Sequence, residues 1–175
     1  MEENDILVEE LDEDNQKGKY MTFRLGEKYY GIGISYVSEI IGLQPITKVP
    51  ETEDFIIGLI NLRGKILPVI DVRIRFGMEP RAYDDRTCII IINVETVTIG
   101  LIVDTIAEVV NIADEDIIPP PTISPASGQT SKYVYGIGKV GMDVKMLLDL
   151  KKLIAHDDEE NIVTNGKSGN QFCFY

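Results

Sequence analysis

Residues 55–72 constrain this chain more than any other stretch. Two apolar, strand-like runs, 57–62 and 66–72, meet at Arg63-Gly64-Lys65. Gly64 supplies the positive φ that a tight connection requires, so the segment reads as a β-hairpin. Asn61, Arg63 and Asp71 interrupt it at spacings that a plain core strand does not need. An arginine at the bend of an apolar hairpin sets a charged, multi-donor group beside a hydrophobic face. That arrangement suits recognition of a partner more than a catalytic pocket.

The same pattern recurs along the chain. Residues 20–25 and 29–34 are β-rich runs about Gly26-Glu27-Lys28, a hairpin signal. Residues 88–94 and 97–103 form a second predicted hairpin, 108–112 a further strand, and 133–140 and 143–150 a last pair running into Lys151 to Ile154. Helical signals are short. Ser35 is a candidate N-cap for a turn over 35–41, with Val37, Ile40 and Ile41 on one side. A second turn is expected over 51–55, and a third over 72–76, stopped by Gly77. Residues 114–121, ending in three prolines, read as a stiff, extended connection, and 124–132 as a Ser/Pro/Gly-rich loop. Roughly nine short strands with turn chemistry between them, and no helix long enough to cross over a parallel sheet, specify an all-β, antiparallel barrel or sandwich.

Charge excludes several functions. The net charge of −12 sits mostly in the ends: residues 1–18 hold eight acids against one lysine, and 155–175 four acids against one lysine. Residues 1–18 are expected to be a disordered acidic leader, 19–154 the folded domain, and 155–175 a polar, acidic tail. The middle is close to neutral, so the basic footprint of nucleic-acid binding is missing, as is attraction to an anionic membrane. The acidic start is the reverse of an export signal, and no apolar run approaches a membrane span. Cys88 and Cys173 have no metal or redox spacing, and a reduced, cytoplasmic protein is the compartment expected.

Catalytic motifs weigh little. Gly136-Ile-Gly138-Lys-Val-Gly141 fits the dinucleotide fingerprint in letters, but strand-like alternation follows it where the fingerprint needs a helix, so a turn and bulge is the better reading. Asp71, Asp104 and Asp143 stand at or near strand ends, where aspartate commonly caps a turn; a small hydrolase using Asp71 and Asp104 is the rival they would support. The single histidine, His156, lies in the outgoing tail. No cofactor, metal site or enzyme activity is implied. Glu39, the polar residue of an otherwise apolar stretch, is a carboxylate able to orient Arg63.

In order and spacing these residues match a known family. Phe23-Arg-Leu-Gly-Glu, Tyr30-Gly-Ile, Val37-Ser-Glu-Ile, Val49-Pro, Phe55-Ile-Ile-Gly, Asn61-Leu-Arg-Gly-Lys-Ile-Leu-Pro-Val-Ile-Asp-Val, Phe76-Gly, Gly100-Leu-Ile-Val-Asp, Gly136-Ile-Gly and Leu147-Leu-Asp-Leu-Lys-Lys-Leu together resemble the CheW-like family of bacterial chemotaxis coupling proteins, from about residue 20 to 154. The resemblance implies two interleaved, five-stranded, SH3-like β-barrels packed on each other with a few short helices. It also implies a non-catalytic adaptor that couples the cytoplasmic tips of methyl-accepting chemoreceptors to the regulatory domain of the histidine kinase CheA. By position, partner contacts carry over to Val37, Glu39, Gly58, Arg63 and Gly100, with Ile66 as an apolar, kinase-facing residue. The chain departs from the family at Ile118 and Ile123, flanking Pro119-Pro-Pro, where an arginine and an aromatic often serve a second kinase contact. That contact is therefore expected to be more apolar, differently matched or absent.

Overall fold

Four consecutive isoleucines, Ile89 to Ile92, are each at most 2% exposed, so the strand carrying them is covered on both faces. Ile90 and Ile92 enter one hydrophobic cluster, Ile89 and Ile91 another. A strand with alternate side chains on opposite faces reads as a continuous apolar run only when both faces are buried. The chain is built around that strand.

The structure, a computed structural model, describes residues 16–121 and 132–155. The expectations for residues 1–15, the loop at 122–131 with Ile123, and residues 156–175 with His156 lie outside the described residues. The strands are β1 (Lys19–Leu25), β2 (Lys28–Gly33), β3 (Val37–Gly42), β4 (Ile56–Leu62), β5 (Lys65–Asp71), β6 (Cys88–Val94), β7 (Val97–Val103), β8 (Thr105–Asn111), β9 (Ile117–Ile118), β10 (Val134–Val140) and β11 (Asp143–Leu148). Two short helices, α1 (Val72–Arg75) and α2 (Leu150–Ile154), follow β5 and β11.

They form two sheets, an outer one in the order β8-β1-β2-β11-β10-β9 and a nested one in the order β3-β6-β7-β5-β4. The expected all-β, two-part, SH3-like architecture holds. The outer sheet has six strands because the two-residue β9 adds a rung beside β10, within the segment read as an extended connection. The nested sheet is one continuous stretch of chain between β2 and β8, so the outer sheet is assembled from both ends of the domain, with β11 parallel to β2.

The turn expected over 35–41 is instead β3, preceded by a single 3-10 turn at Ile34–Tyr36. A bulge explains the helix-like spacing. Val37 pairs with Ile92 and Glu39 with Ile91, so one extra residue, Ser38, shifts the register. Val37 and Ile40 then share a face three residues apart, which imitates helical periodicity. Residues 51–55 form turns rather than a helix, and 149–154 leave the last strand for α2, where Asp149 Oδ1 accepts the Lys152 N–H.

One core is common to both sheets. Phe23 and Tyr30 of the outer sheet stack at 5.8 Å, Tyr30 meets Phe76 at 5.3 Å, and Phe76 meets Tyr133 at 5.6 Å. Arg75, 4% exposed, lies over the Phe55 ring at 4.0 Å and donates to the carbonyl oxygens of Leu153 and Ala155, satisfying the end of α2. Asp104 ties the sheets on another side. It accepts the Gly26 N–H at 2.8 Å and two bonds from Arg73, at 2.7 and 2.5 Å. Burial works against its charge, but the Arg73 and Gly26 hydrogen bonds and the Arg73 and Arg81 charges outweigh it, holding the carboxyl below its ordinary range.

Candidate partner-binding site

The β4–β5 hairpin turns on two residues, Arg63 (φ 52°) and Gly64 (φ 86°). Positive φ at both central positions is what a type I′ turn requires, and it matches the twist of the flanking strands. Asn61 Oδ1 accepts the Gly64 N–H at 2.8 Å, which accounts for the asparagine that interrupts the apolar run. The turn therefore holds Arg63 in the left-handed region and projects its side chain, 72% exposed, outward.

Glu39 reaches this arginine from the far end of the sheet. β3 and β4 are the two ends of the nested sheet's order, yet Arg63 Nη2 donates to Glu39 Oε1. The sheet is thus curled until its edges approach, and the ion pair spans the seam. Opposed residues of an antiparallel pair share a face. Glu39 and Ile41, opposite Ile91 and Ile89, accordingly lie on the interior side of the curl, with Glu39 at its mouth. The segment after β3 closes the seam lower down: Thr47 and Leu59 exchange backbone hydrogen bonds of 2.9 and 2.8 Å.

That closure explains the two predicted glycines. A Cβ on Gly58 would stand 2.2 Å from the Thr47 carbonyl oxygen, so only glycine admits the crossing segment. A Cβ on Gly100 would meet Ile89 Cγ2 and Val69 Cγ1, each at 2.8 Å, inside the curl. Both glycines are buried and shape the platform from within.

The remaining predicted residues separate by place. Ile66, opposite Asn61 on the hairpin, is 56% exposed beside Arg63. Val37 is half-buried against the shared core, and Ile40, on the same face, is 38% exposed. Sequence reasoning left Ile40 out because a helical reading put it on a buried side; the bulge at Ser38 was the missing signal. Ile118 belongs to the other sheet, paired with Ile137 and 39% exposed. The structure brings Glu39 and Arg63 into contact, keeps exposed Ile66 on the hairpin that carries Arg63 and Val37 on the strand that carries Glu39, and sets Ile118 apart.

The aspartates have structural partners. Asp71 Oδ1 caps α1 through the Arg73 and Ile74 N–H groups, and Oδ2 accepts from Tyr83, whose hydroxyl is pushed well above its ordinary pKa by burial and this bond. Asp143 is exposed where β11 begins. Gly136 and Gly138 lie in β10, where a Cβ would meet Ile117 Cγ2 at 2.8 Å and Ile112 Cδ1 at 2.6 Å, and a strand follows Gly141. The glycine triplet is packing and turn, with no helix after it to hold a pyrophosphate. No group of metal-ligating side chains occurs among the described residues.

The sequence matches the CheW-like domain family over residues 19–158. The chain belongs to the CheW-like family. It is 35% identical to the chemotaxis protein CheW of Klebsiella aerogenes, over 80% of this chain and 83% of that one. It is 34% identical to a probable chemotaxis protein CheW of Rhizobium etli, over 80% and 89%. The crystal structure of the scaffolding protein TtCheW from Thermoanaerobacter tengcongensis superposes with a TM-score of 0.74 at 39% identity, covering 82% of this chain and 96% of that chain. As a CheW-like protein, this chain is a scaffold of chemotaxis signalling. No helix among the described residues is long and apolar enough to cross a membrane.

Proposed function

We propose that this chain works without catalysis, in the cytoplasm, as the bridge between the tips of methyl-accepting chemoreceptors and the regulatory domain of the kinase CheA. The observation that carries the reading is the seam of the nested sheet. A type I′ turn holds Arg63 out, Glu39 orients its guanidinium from the opposite edge, and Ile66 is exposed on the same hairpin. Such a group is preorganised for a partner surface, because the rotamer freedom it would lose on docking is already restricted. Arg63 and Ile66 make direct contact, Glu39 orients, and Gly58 and Gly100 preserve the curl beneath them.

Val37 and Ile40 supply an apolar strip where the two sheets meet, which fits the apolar face of a receptor helix. Signal then passes as a bias between kinase states, set by contacts that differ between those states. Ile118 and Ile123 are the apolar candidates for a second kinase contact; its match differs from the family's usual arginine and aromatic.

Immobilised CheA regulatory domain and receptor-tip helices test the proposal directly. Folded wild-type chain should bind both. Arg63→Ala and Ile66→Glu should each weaken kinase-domain binding about tenfold or more, the range of an interface hot spot. Wild-type protein that is folded yet binds neither partner overturns the reading.

A further inference from the structure

Away from the seam, a cleft opens where the two sheets are joined. It has a volume of about 150 Å³ and is lined by Arg24 and Gly26 of the β1–β2 hairpin, Arg81, Asp84 and Arg86 of the loop after α1, and Asp104 between β7 and β8. Three guanidiniums from two separate parts of the chain therefore converge on one concavity. In a folded region close to neutral overall, these arginines concentrate positive charge at one place.

The charges do not cancel. Asp104 is committed to Arg73 through two hydrogen bonds, to Gly26 N–H, and at 3.2 Å to Arg81 Nη1. Asp84 accepts the Arg86 and Thr87 N–H groups and a 3.2 Å bond from Arg81 Nη2. Asp85, between them in the chain, does not line the cleft. Arg24 uses only Nε, on the Gly26 carbonyl, leaving both Nη groups. The Arg86 guanidinium has no partner among the described residues. Four arginines, counting Arg73, face two carboxylates whose acceptor capacity is largely used, and the surplus lies on Arg24 and Arg86.

We infer that this cleft is a binding site for a phosphate-type oxyanion. A tetrahedral, doubly charged anion accepts hydrogen bonds from several directions, as converging guanidiniums offer them; a carboxylate presents one planar pair of oxygens and suits a single fork. Occupied, the site links the β1–β2 turn of the outer sheet to the 81–86 loop of the nested sheet, beside the Asp104 joint.

The test titrates the full chain with sodium phosphate and, separately, adenosine monophosphate, at constant ionic strength held with sodium chloride, reading melting temperature and calorimetric binding. The expected result is saturable binding of inorganic phosphate, with or without the nucleotide, and a rise in melting temperature. Arg86→Ala and Arg24→Ala should each weaken it about tenfold, while Lys139→Ala, on an exposed part of β10, leaves it unchanged. Absence of saturable binding by wild type, wild-type affinity in both arginine variants, or equal binding of acetate overturns the proposal. Both arginines are exposed, so the variants keep the fold and binding is read on native protein.

Discussion

The two sheets share one core yet fill their own interiors in opposite ways. The nested sheet packs Ile60, Leu67, Val69, Ile89, Ile91 and Ile102 inside its curl, with Ile41, Ile46, Ile57 and Leu62 around them. Among the described residues the outer sheet encloses Val110, Ile112 and Leu147, with Tyr20, Ile117 and Val140 at the margin, and sets glycines against them. A well-filled curl resists deformation, because close packing leaves few alternative arrangements. It is the nested sheet that carries Arg63, Glu39 and Ile66. The group proposed for recognition thus sits on the better-filled half.

The largest expected effect breaks that contrast at its centre. Ile91→Ala should cost about 3–4 kcal/mol in urea unfolding, whereas Val110→Ala in the smaller interior should cost about 1–2 kcal/mol. Equal losses would erase the asymmetry. Next come the glycines. Gly58→Ala sets a methyl against the Thr47 carbonyl and should lower stability by about 2–3 kcal/mol. Gly138→Ala meets the terminal methyl of Ile112, which can rotate away, and should cost about 1 kcal/mol or less. Melting temperatures of the two variants compare a backbone obstacle with a side-chain one.

Asp104→Asn touches both sheets at once, because Asp104 joins Gly26 to Arg73 and is 9% exposed. A loss of about 2 kcal/mol at neutral pH is expected from weakening a largely buried, hydrogen-bonded pair. The lowered carboxyl pKa sets the sign of the pH dependence. The stabilisation is full above the unfolded carboxylate value, near pH 4, and is lost as pH falls through the depressed folded value. Melting temperature measured from pH 6 to pH 2 should therefore fall less steeply in the variant. The smallest effect belongs to the seam: Arg63→Ala should shift stability by less than about 1 kcal/mol, since an exposed ion pair contributes little. Partner binding, followed on the same sample, should fall far more than stability does.

Local chemistry made much of this fold legible. Arg63-Gly64, the run 88–94 and the glycine stop at Gly77 each carry their conformation in a few residues, and the structure places them as read. What escaped depends on distant partners. β3 looked helical because one bulged residue changes a period of two into a spacing of three. β9 is two residues long and exists only because β10 offers an edge. The pairing of Glu39 with Arg63, suggested by residue type, needed the curl of a whole sheet to become a contact. Gly58 and Gly100 carried no local sign of what they make room for, since Thr47 and Ile89 approach from other strands. The Asp104–Arg73 joint, 31 positions apart in the chain, had no signal in spacing.

The nesting of one sheet inside the other has a consequence for synthesis. Every strand of the nested sheet has been made once Val103 leaves the ribosome, whereas β2 must wait for its parallel neighbour β11, more than a hundred residues later. The β1–β2 hairpin is thus among the last of these elements to be fully paired. Its apolar face, with Phe23, Leu25 and Ile32, needs a surface to rest on in the meantime. The nested sheet, complete first in chain order, carries the matching face, with Ile90 and Ile92 in the same cluster as Phe23, Leu25 and Ile32.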